Sequence, residues 1–411
     1  MHEILRRKNK GMQEDVVKFT QELIRQPSLS LNESDVAELV SQKMQALDYD
    51  KVLTDEYGNQ IGMMYGREGA PTIMLNCHMD TMPPGDTAKW NEDPYSAKIR
   101  DGKLYGCGSG DCKAGLAAQI FAGALLKRSL LPLQGNLIVA ATVSQERGGN
   151  SGVRGLIEKT MPQLNLEPDY VILGEPTGLG LYYGHDGWME IDITIEGSNI
   201  FDVDDAAAAI FNDLNAATAT QSQQSELYTE HLIANPPYYN DDAGLRRATV
   251  AMSRRLSNSE HFETVLGQVE HQAKLAAKEA GNVAVKAILR QEHEQMYTGM
   301  RTIAKKITHA WTTDPFSIIM EKSRSALAVA GCQVRPGKWR LGRLGMGTAG
   351  GLFTGEFGIP TIGYGPGNEE VVHAANEYVE IDKISEAVYG TASIIHSIIG
   401  IPVFGWTSDE I

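Results

Sequence analysis

Thr72-Ile73-Met74-Leu75-Asn76-Cys77-His78-Met79-Asp80-Thr81 is the stretch whose reading decides the fold. An apolar run leads directly into His and Asp. Such a run, bounded by turn residues, reads as a buried strand. In an open α/β sheet, ligands bind outside the carboxyl ends of the strands. His78 and Asp80 therefore stand where chemistry is expected. Further on, Gly106 to Gly110 forms a glycine-rich turn that delivers Asp111 to the start of a helical run, Leu116 to Lys127. Asn136 to Val143 is a second apolar run, ending in Ser144-Gln145-Glu146-Arg147. Asp169 to Leu173 is a third, ending in Gly174-Glu175-Pro176-Thr177. A fourth, Ile359 to Gly367, precedes His373-Ala374-Ala375-Asn376-Glu377. Helical segments lie between these runs, so the class is α/β with a mainly parallel sheet.

The pattern changes after Gly187. Met189-Glu190-Ile191-Asp192-Ile193-Thr194-Ile195 alternates with period two, as a sheet with one wet face does. Helical segments at Ala206–Leu214 and His261–Glu279 and strands at Thr249–Met252 and Val283–Leu289 complete an α+β insertion. The expected division is 1–186 with 297–411 for one domain and 187–296 for the inserted one.

The chain has 411 residues, 42% hydrophobic and 22% charged, enough for a large core in more than one domain. Its net charge of −15 disfavours nucleic acid and anionic membranes as partners. No apolar run is long enough for a membrane span, and the start, Met1 to Lys8, is charged and helical rather than a signal peptide. Cys77, Cys107, Cys112 and Cys332 form no Cys-x-x-Cys pair and read as reduced thiols. A cytoplasmic location is expected.

His and Asp suit zinc, manganese or cobalt. Alternate strand residues share a face, so Asp80 can accept the second N–H of the His78 ring and orient it. A satisfied buried His and a capping Asp are the plainer alternative for that pair alone. With Asp111, Glu146, Glu175 and His373 at neighbouring strand ends, a metal centre becomes the stronger reading.

At this point the chain resembles the family of metal-dependent aminoacylases, acetylornithine deacetylases, succinyl-diaminopimelate desuccinylases and glutamate-type carboxypeptidases. The resemblance runs from about residue 12 to 399 and includes His-Met-Asp-Thr, Gly-Ser-Gly-Asp-Cys-Lys-Ala-Gly, Gln-Glu-Arg, Gly-Glu-Pro-Thr, Ser-Arg-Arg-Leu and His-Ala-Ala-Asn-Glu. It implies that His78 and Glu175 bind a first metal, that Asp111 bridges two metals before a cis peptide bond, and that His373 binds the second. It implies Glu146 as general base and Asp80 as the residue orienting His78. Arg255 matches an arginine that pairs with a substrate carboxylate. The inserted domain resembles a ferredoxin-like dimerisation domain, so a homo-oligomer is expected.

Two departures shape the expected function. Where the family has Glu-Glu, Glu146-Arg147 is aligned here, so Arg147 would replace the ligand private to the second metal. A fixed cation there would repel a second dication, and one divalent manganese or zinc ion per chain is expected. The family also places a His, reaching the neighbouring subunit's site, where Phe201 is aligned, and Phe cannot donate a hydrogen bond. Both losses weaken oxyanion stabilisation, which is worth ~10²–10³ in rate per donor. The expectation is therefore a metal-dependent hydrolase cleaving a C–N bond in a small carboxylated substrate, with Arg147, Arg255, His185 and Phe201 on the substrate side. Its narrowest form is deamination of an aryl amine such as 5-nitroanthranilate. The alternatives are a conventional deacylase or carboxypeptidase, and a binding protein whose site has decayed. His231, His261, His271, His293, His309 and His396 read as surface or packing residues.

Overall fold

The structure, a computed structural model, describes residues 1–221, 233–242, 245–339 and 347–402. His231 lies outside the described residues.

The first domain is built on strands β1 (Lys51–Thr54), β2 (Gln60–Met64), β3 (Ile73–His78), β4 (Leu137–Thr142), β5 (Tyr170–Leu173) and β6 (Leu181–Tyr182), with helix α1 (Ala114–Arg128) crossing between β3 and β4. The inserted segment comprises β7 (Gly187–Gly197), α2 (Ile200–Gln221), β8 (Tyr238–Asp242), β9 (Leu245–Leu256), α3 (Phe262–Ala276) and β10 (Ala284–Leu289). A hairpin, β11 (Gln291–Gln295) and β12 (Arg301–Lys305), leads to β13 (Ile307–Thr308). The chain then supplies β14 (Pro336–Gly337), β15 (Thr361–Gly363) and the closing helix α4 (Ile381–Ile399).

The main sheet has the order β1-β2-β4-β3-β5-β15-β6-β14. Its centre, β4-β3-β5-β15, is parallel, β1 and β2 run antiparallel to their neighbours, and β6 is antiparallel to β15 but parallel to β14, so the sheet is mixed. Strand alternation sends Ile73, Leu75 and Cys77 into one apolar cluster, with α1 and α4, and Met74 into the other, with Val171, Trp311 and Phe353. Burial on both faces explains why these strands read as continuous apolar runs.

The inserted sheet is antiparallel: β10, β7 and β9 lie side by side, and both β8 and the short strand Ile233–Ala234 pair with β9. In chain order this is strand–helix–strand–strand–helix–strand with the spatial order 4-1-3-2, the ferredoxin-like arrangement. Its core is separate and consists of Met189, Ile191, Ile193 and Ile195 against Val203, Ala207, Val250 and Val269. Strand pairing to β7 extends past residue 296. Ile307 and Thr308 pair with Met189 and Trp188, His309 then meets Glu356 at 2.9 Å, and Trp311 pairs with His185. The long β11–β12 hairpin lies between, and its charged, alternating sequence carries no apolar mark of a boundary.

Helix α1 approaches the carboxyl ends of the central strands through Gly115. A Cβ there would stand 1.8 Å from the Gly174 carbonyl oxygen and 3.3 Å from Cys77 Sγ. Gly115→Ala is expected to destabilise the fold by about 1–3 kcal/mol, because backbone on both sides leaves nothing flexible to yield. Urea denaturation of the two proteins measures this.

Candidate metal centre

Each candidate ligand sits where a central strand or its following loop reaches the same sheet edge. His78 ends β3 and is buried; its Nδ1–H donates to the Asp80 carbonyl oxygen at 2.8 Å. That bond turns Nε2 toward Asp111 Oδ1, 3.1 Å away. Asp111 follows the glycine turn, and the Asp111–Cys112 peptide is cis. Its second oxygen, Oδ2, faces His373 Nε2 at 3.2 Å. His373 Nε2 also meets Glu146 Oε1 at 3.1 Å. Glu175 Oε2 lies 3.8 Å from His78 Nε2. Two donor groups result, His78–Asp111–Glu175 and Asp111–Glu146–His373, each with its ligand atoms within 4.8 Å of one another. Asp111 belongs to both, one oxygen toward each. Cys112 Sγ also lies within the first group, but its S–H donates to the His78 carbonyl oxygen.

This chemistry fits divalent ions. Burial pushes the Glu175 carboxyl up to about 8, and Asp111 and Glu146 add to the rise. Burial likewise raises Glu146. Burial alone would depress His373, but Glu146 and Asp111 outweigh it and lift the ring to about 11. His78 is lifted the same way against its own burial, by Cys112, Glu175 and Asp111. Without an ion, protons hold these acids together. A cation replaces those protons, which is why ion binding at such sites depends on pH.

The supports are backbone N–H groups aimed at buried carboxylates. Asp80 accepts from Gln145 N at 3.1 Å and Glu146 N at 2.9 Å, and from Ser30 Oγ at 2.6 Å. Its carboxylate is 3.5 Å from His78 Nδ1, so the ring is oriented chiefly by the Asp80 main chain. The expected carboxylate–imidazole pairing is thus a weaker contact than the loop anchor. Glu33 accepts from Leu31 N and Ser144 N. Glu377 accepts from Gly108 N at 3.0 Å, Gly110 N at 2.7 Å and Asp111 N at 3.1 Å. Glu33 carries no sequence mark beyond its place before a helix, so its role was not legible there.

Arg147 is not in the centre. Its side chain is 41% exposed and pairs with Glu292 at 2.7 Å and Glu294 at 3.3 Å, both on β11. The second donor group is completed by Glu146, not replaced by Arg147. The pair that the end of β4 presents to the cleft is thus Gln145-Glu146. Gln145 lines the cleft, and its Nε2 donates to Glu175 Oε1 at 2.7 Å. The expectation of a single ion rested on Arg147 and loses that ground.

His185 lines the same cleft, beside Trp339, Gly347 and Thr348. Its Nε2 accepts from Thr348 N at 2.8 Å, which leaves Nδ1–H to donate to the Asp186 carbonyl at 2.7 Å. Burial depresses its pKa to about 4, so it is a neutral ring. A second cavity of about 130 Å³ adjoins, lined by Glu146, Arg147, His373, Trp188 and Lys306. Arg255 lies on β9 opposite Trp188 and lines neither cavity. Phe201 starts α2 and is 77% exposed, away from this chain's own cleft.

The profile of peptidase family M20/M25/M40 matches residues 74–397. Among curated proteins, an uncharacterised Escherichia coli protein, YgeY, is 26% identical over 382 residues, covering 90% of this chain and 91% of that one. Among solved structures, the dipeptidase Dug1p of Saccharomyces cerevisiae aligns with a TM-score of 0.70 at 15% identity, over 97% of this chain and 98% of that one. The Bacillus subtilis YXEP protein, described as a dinuclear metal-binding peptidase, aligns with a TM-score of 0.68 at 15% identity, over 94% and 98%. Among the described residues, no helix is long and apolar enough to cross a membrane.

The acid cluster sets a pH dependence. The folded chain keeps a proton on Glu175 that the unfolded chain releases above 4.5, so this group's contribution to stability falls as pH rises from 4.5 to about 8. His373, raised from 6.5 to about 11, acts in the same direction at higher pH. The ion-free protein should therefore lose thermal stability across this range, while the stabilisation by added manganese or zinc grows. Melting temperatures measured with and without ion at several pH values check both halves.

Proposed function

The chain belongs to peptidase family M20/M25/M40 and is a metal-dependent hydrolase acting on C–N bonds; on that premise we propose that it uses two divalent ions, manganese or zinc, to hydrolyse a small carboxylated substrate. The observation that carries this reading is the sharing of Asp111 between two complete donor groups on one cleft. The nitrogen and oxygen donors, without a committed thiolate, suit manganese or zinc. Divalent ions held there lower the pKa of bound water and polarise a carbonyl or similar group.

The protein's own residues supply the rest. His78 and Glu175 would hold one ion and Glu146 and His373 the other, with Asp111 offering an oxygen to each group. Asp80 and Glu377 keep those side chains in register through the backbone. Lys306, buried beside the second cavity, donates to the Arg147 carbonyl and to Glu292 at 3.3 Å, and it is the cation best placed to receive a substrate carboxylate. Intact donor groups with built supports speak against a decayed binding protein. An acyl substrate is the main form of the proposal. Deamination of an electron-poor aryl amine, such as 5-nitroanthranilate, remains its narrowest form, supported by the resemblance alone. Assembly as a homo-oligomer through the inserted domain is also proposed, supported by the edge strand β10 and the exposed Phe201.

Three variants test the donor assignment. Asp111→Asn is expected to lose both ions and turnover. Glu146→Gln should lower ion content to about half, because its carboxylate belongs to one donor group. Arg147→Ala should leave ion content unchanged, since its side chain faces β11. Ion content by mass spectrometry, alongside far-ultraviolet circular dichroism, gives the result. Full ion occupancy in Asp111→Asn would refute the shared bridge.

A further inference from the structure

Gln145 is 7% exposed and lines the cleft together with residues of both donor groups. Its backbone N–H is taken by Asp80 and its Nε2 by Glu175. Its Oε1 is buried, with no hydrogen-bond partner among the described residues. An unpaired buried acceptor costs stability unless something meets it. Since Nε2 is fixed on Glu175, Oε1 can accept one N–H or O–H from a bound molecule, but an amide cannot take up a proton and hand it on. Of the carboxylates lining this cleft, Asp111, Glu146 and Glu175 belong to donor groups, and a carboxylate sharing its electron pairs with a cation is a poor proton carrier; Glu369 is the exception.

We infer that Gln145 makes this protein selective for C–N bonds whose nitrogen departs without a proton delivered by the protein, such as electron-poor aryl amides, over ordinary alkyl amides and peptides. The inference rests on the hydrolase reading above. In the overall step, water adds its oxygen to the carbon and the C–N bond breaks with its electron pair on nitrogen. One water proton ends on that nitrogen and the other on the new carboxyl group or in solvent. An alkylamine nitrogen is too basic to leave as an anion, so it needs its proton during bond breaking. A nitrogen on an electron-withdrawing ring bears that charge and collects its proton from solvent afterwards. Gln145 Oε1 positions such a nitrogen, or the attacking water, by accepting a hydrogen bond.

The test uses the full chain loaded with manganese and a series of N-succinyl anilides, ring-substituted from methoxy to nitro, with a matched N-succinyl alkylamide. The wild type should show a rate that rises steeply with electron withdrawal, with the alkylamide at least ~10²-fold slower. Gln145→Glu supplies a proton carrier of the same shape; it should flatten that dependence and raise alkylamide hydrolysis by ~10²-fold. Gln145→Leu, which adds no charge to the acid cluster, should keep the steep dependence at a lower rate. Glu369, which lines the same cleft, is the rival carrier; Glu369→Gln should leave the slope unchanged. Ion content should be equal in all four proteins. A wild type that cleaves alkylamide and nitroanilide equally well overturns the inference and leaves the hydrolase reading standing. So does a slope that steepens in Glu369→Gln, or an ion content that changes in Gln145→Leu. Hydrolysis of no member of the series by wild type or Gln145→Glu overturns the acyl-hydrolase reading, and the inference with it.

Discussion

Glu377 never reaches the cleft as a ligand, yet the position of Asp111 depends on it. One buried carboxylate receives the N–H groups of Gly108, Gly110 and Asp111, and so fixes the turn that carries the shared ligand. A backbone turn buried this deeply would otherwise hold unsatisfied donors, each costing about 1–3 kcal/mol. The same device recurs on the other side, where Glu33 and Asp80 take the successive N–H groups of Ser144, Gln145 and Glu146. The acids of the centre are thus held by acids behind them, with the peptide N–H as go-between. Burial pushes both Glu33 and Glu377 up to about 7, helped by Asp80 for the first and Asp111 for the second. The arrangement is electrostatically expensive until cations enter the cleft.

The inserted segment is tied to this loop rather than merely adjacent to it. Arg147 reaches Glu292 and Glu294 on β11, and Glu294 also accepts from Ser144 and Ser151. Lys306 returns the connection by donating to the Arg147 carbonyl and to Glu292. The residue next to Glu146 is therefore an anchor between the two sheets. Arg suits that task, since its planar fork can engage two carboxylates at once. A displacement of the hairpin would be felt at Glu146, the neighbour of Arg147 and itself a member of a donor group.

Much of the centre was legible in the residues. His78, Glu146, Glu175 and His373 each end or follow a strand-like run and Asp111 follows a glycine-rich turn, and the structure gathers all five at one edge. The error lay one residue along, in Gln145-Glu146-Arg147. A strand's end sets which side chain points into the cleft, and a shift of one reverses the faces. Charge alone made Arg147 look like the intruder at the metal, because nothing in the linear order shows Glu292 and Glu294 waiting for it. Glu33 was invisible for the same reason: its partner, Ser144 N, is remote in the chain and has no side-chain signature.

Period and punctuation in the sequence by themselves determined the α/β class, the change to an alternating α+β insertion after Gly187, and the set of ligand types, because strand burial, turn glycines and donor chemistry are local properties. Only the tertiary structure decided which carboxylates became ligands and which became anchors, where the inserted sheet ends, and that Gln145 rather than Arg147 faces the cleft. Those outcomes turn on which buried N–H or cation lies within hydrogen-bonding distance of each acid. That distance is set by the packing of β3, β4, β5 and α1 against one another, and no residue carries it alone.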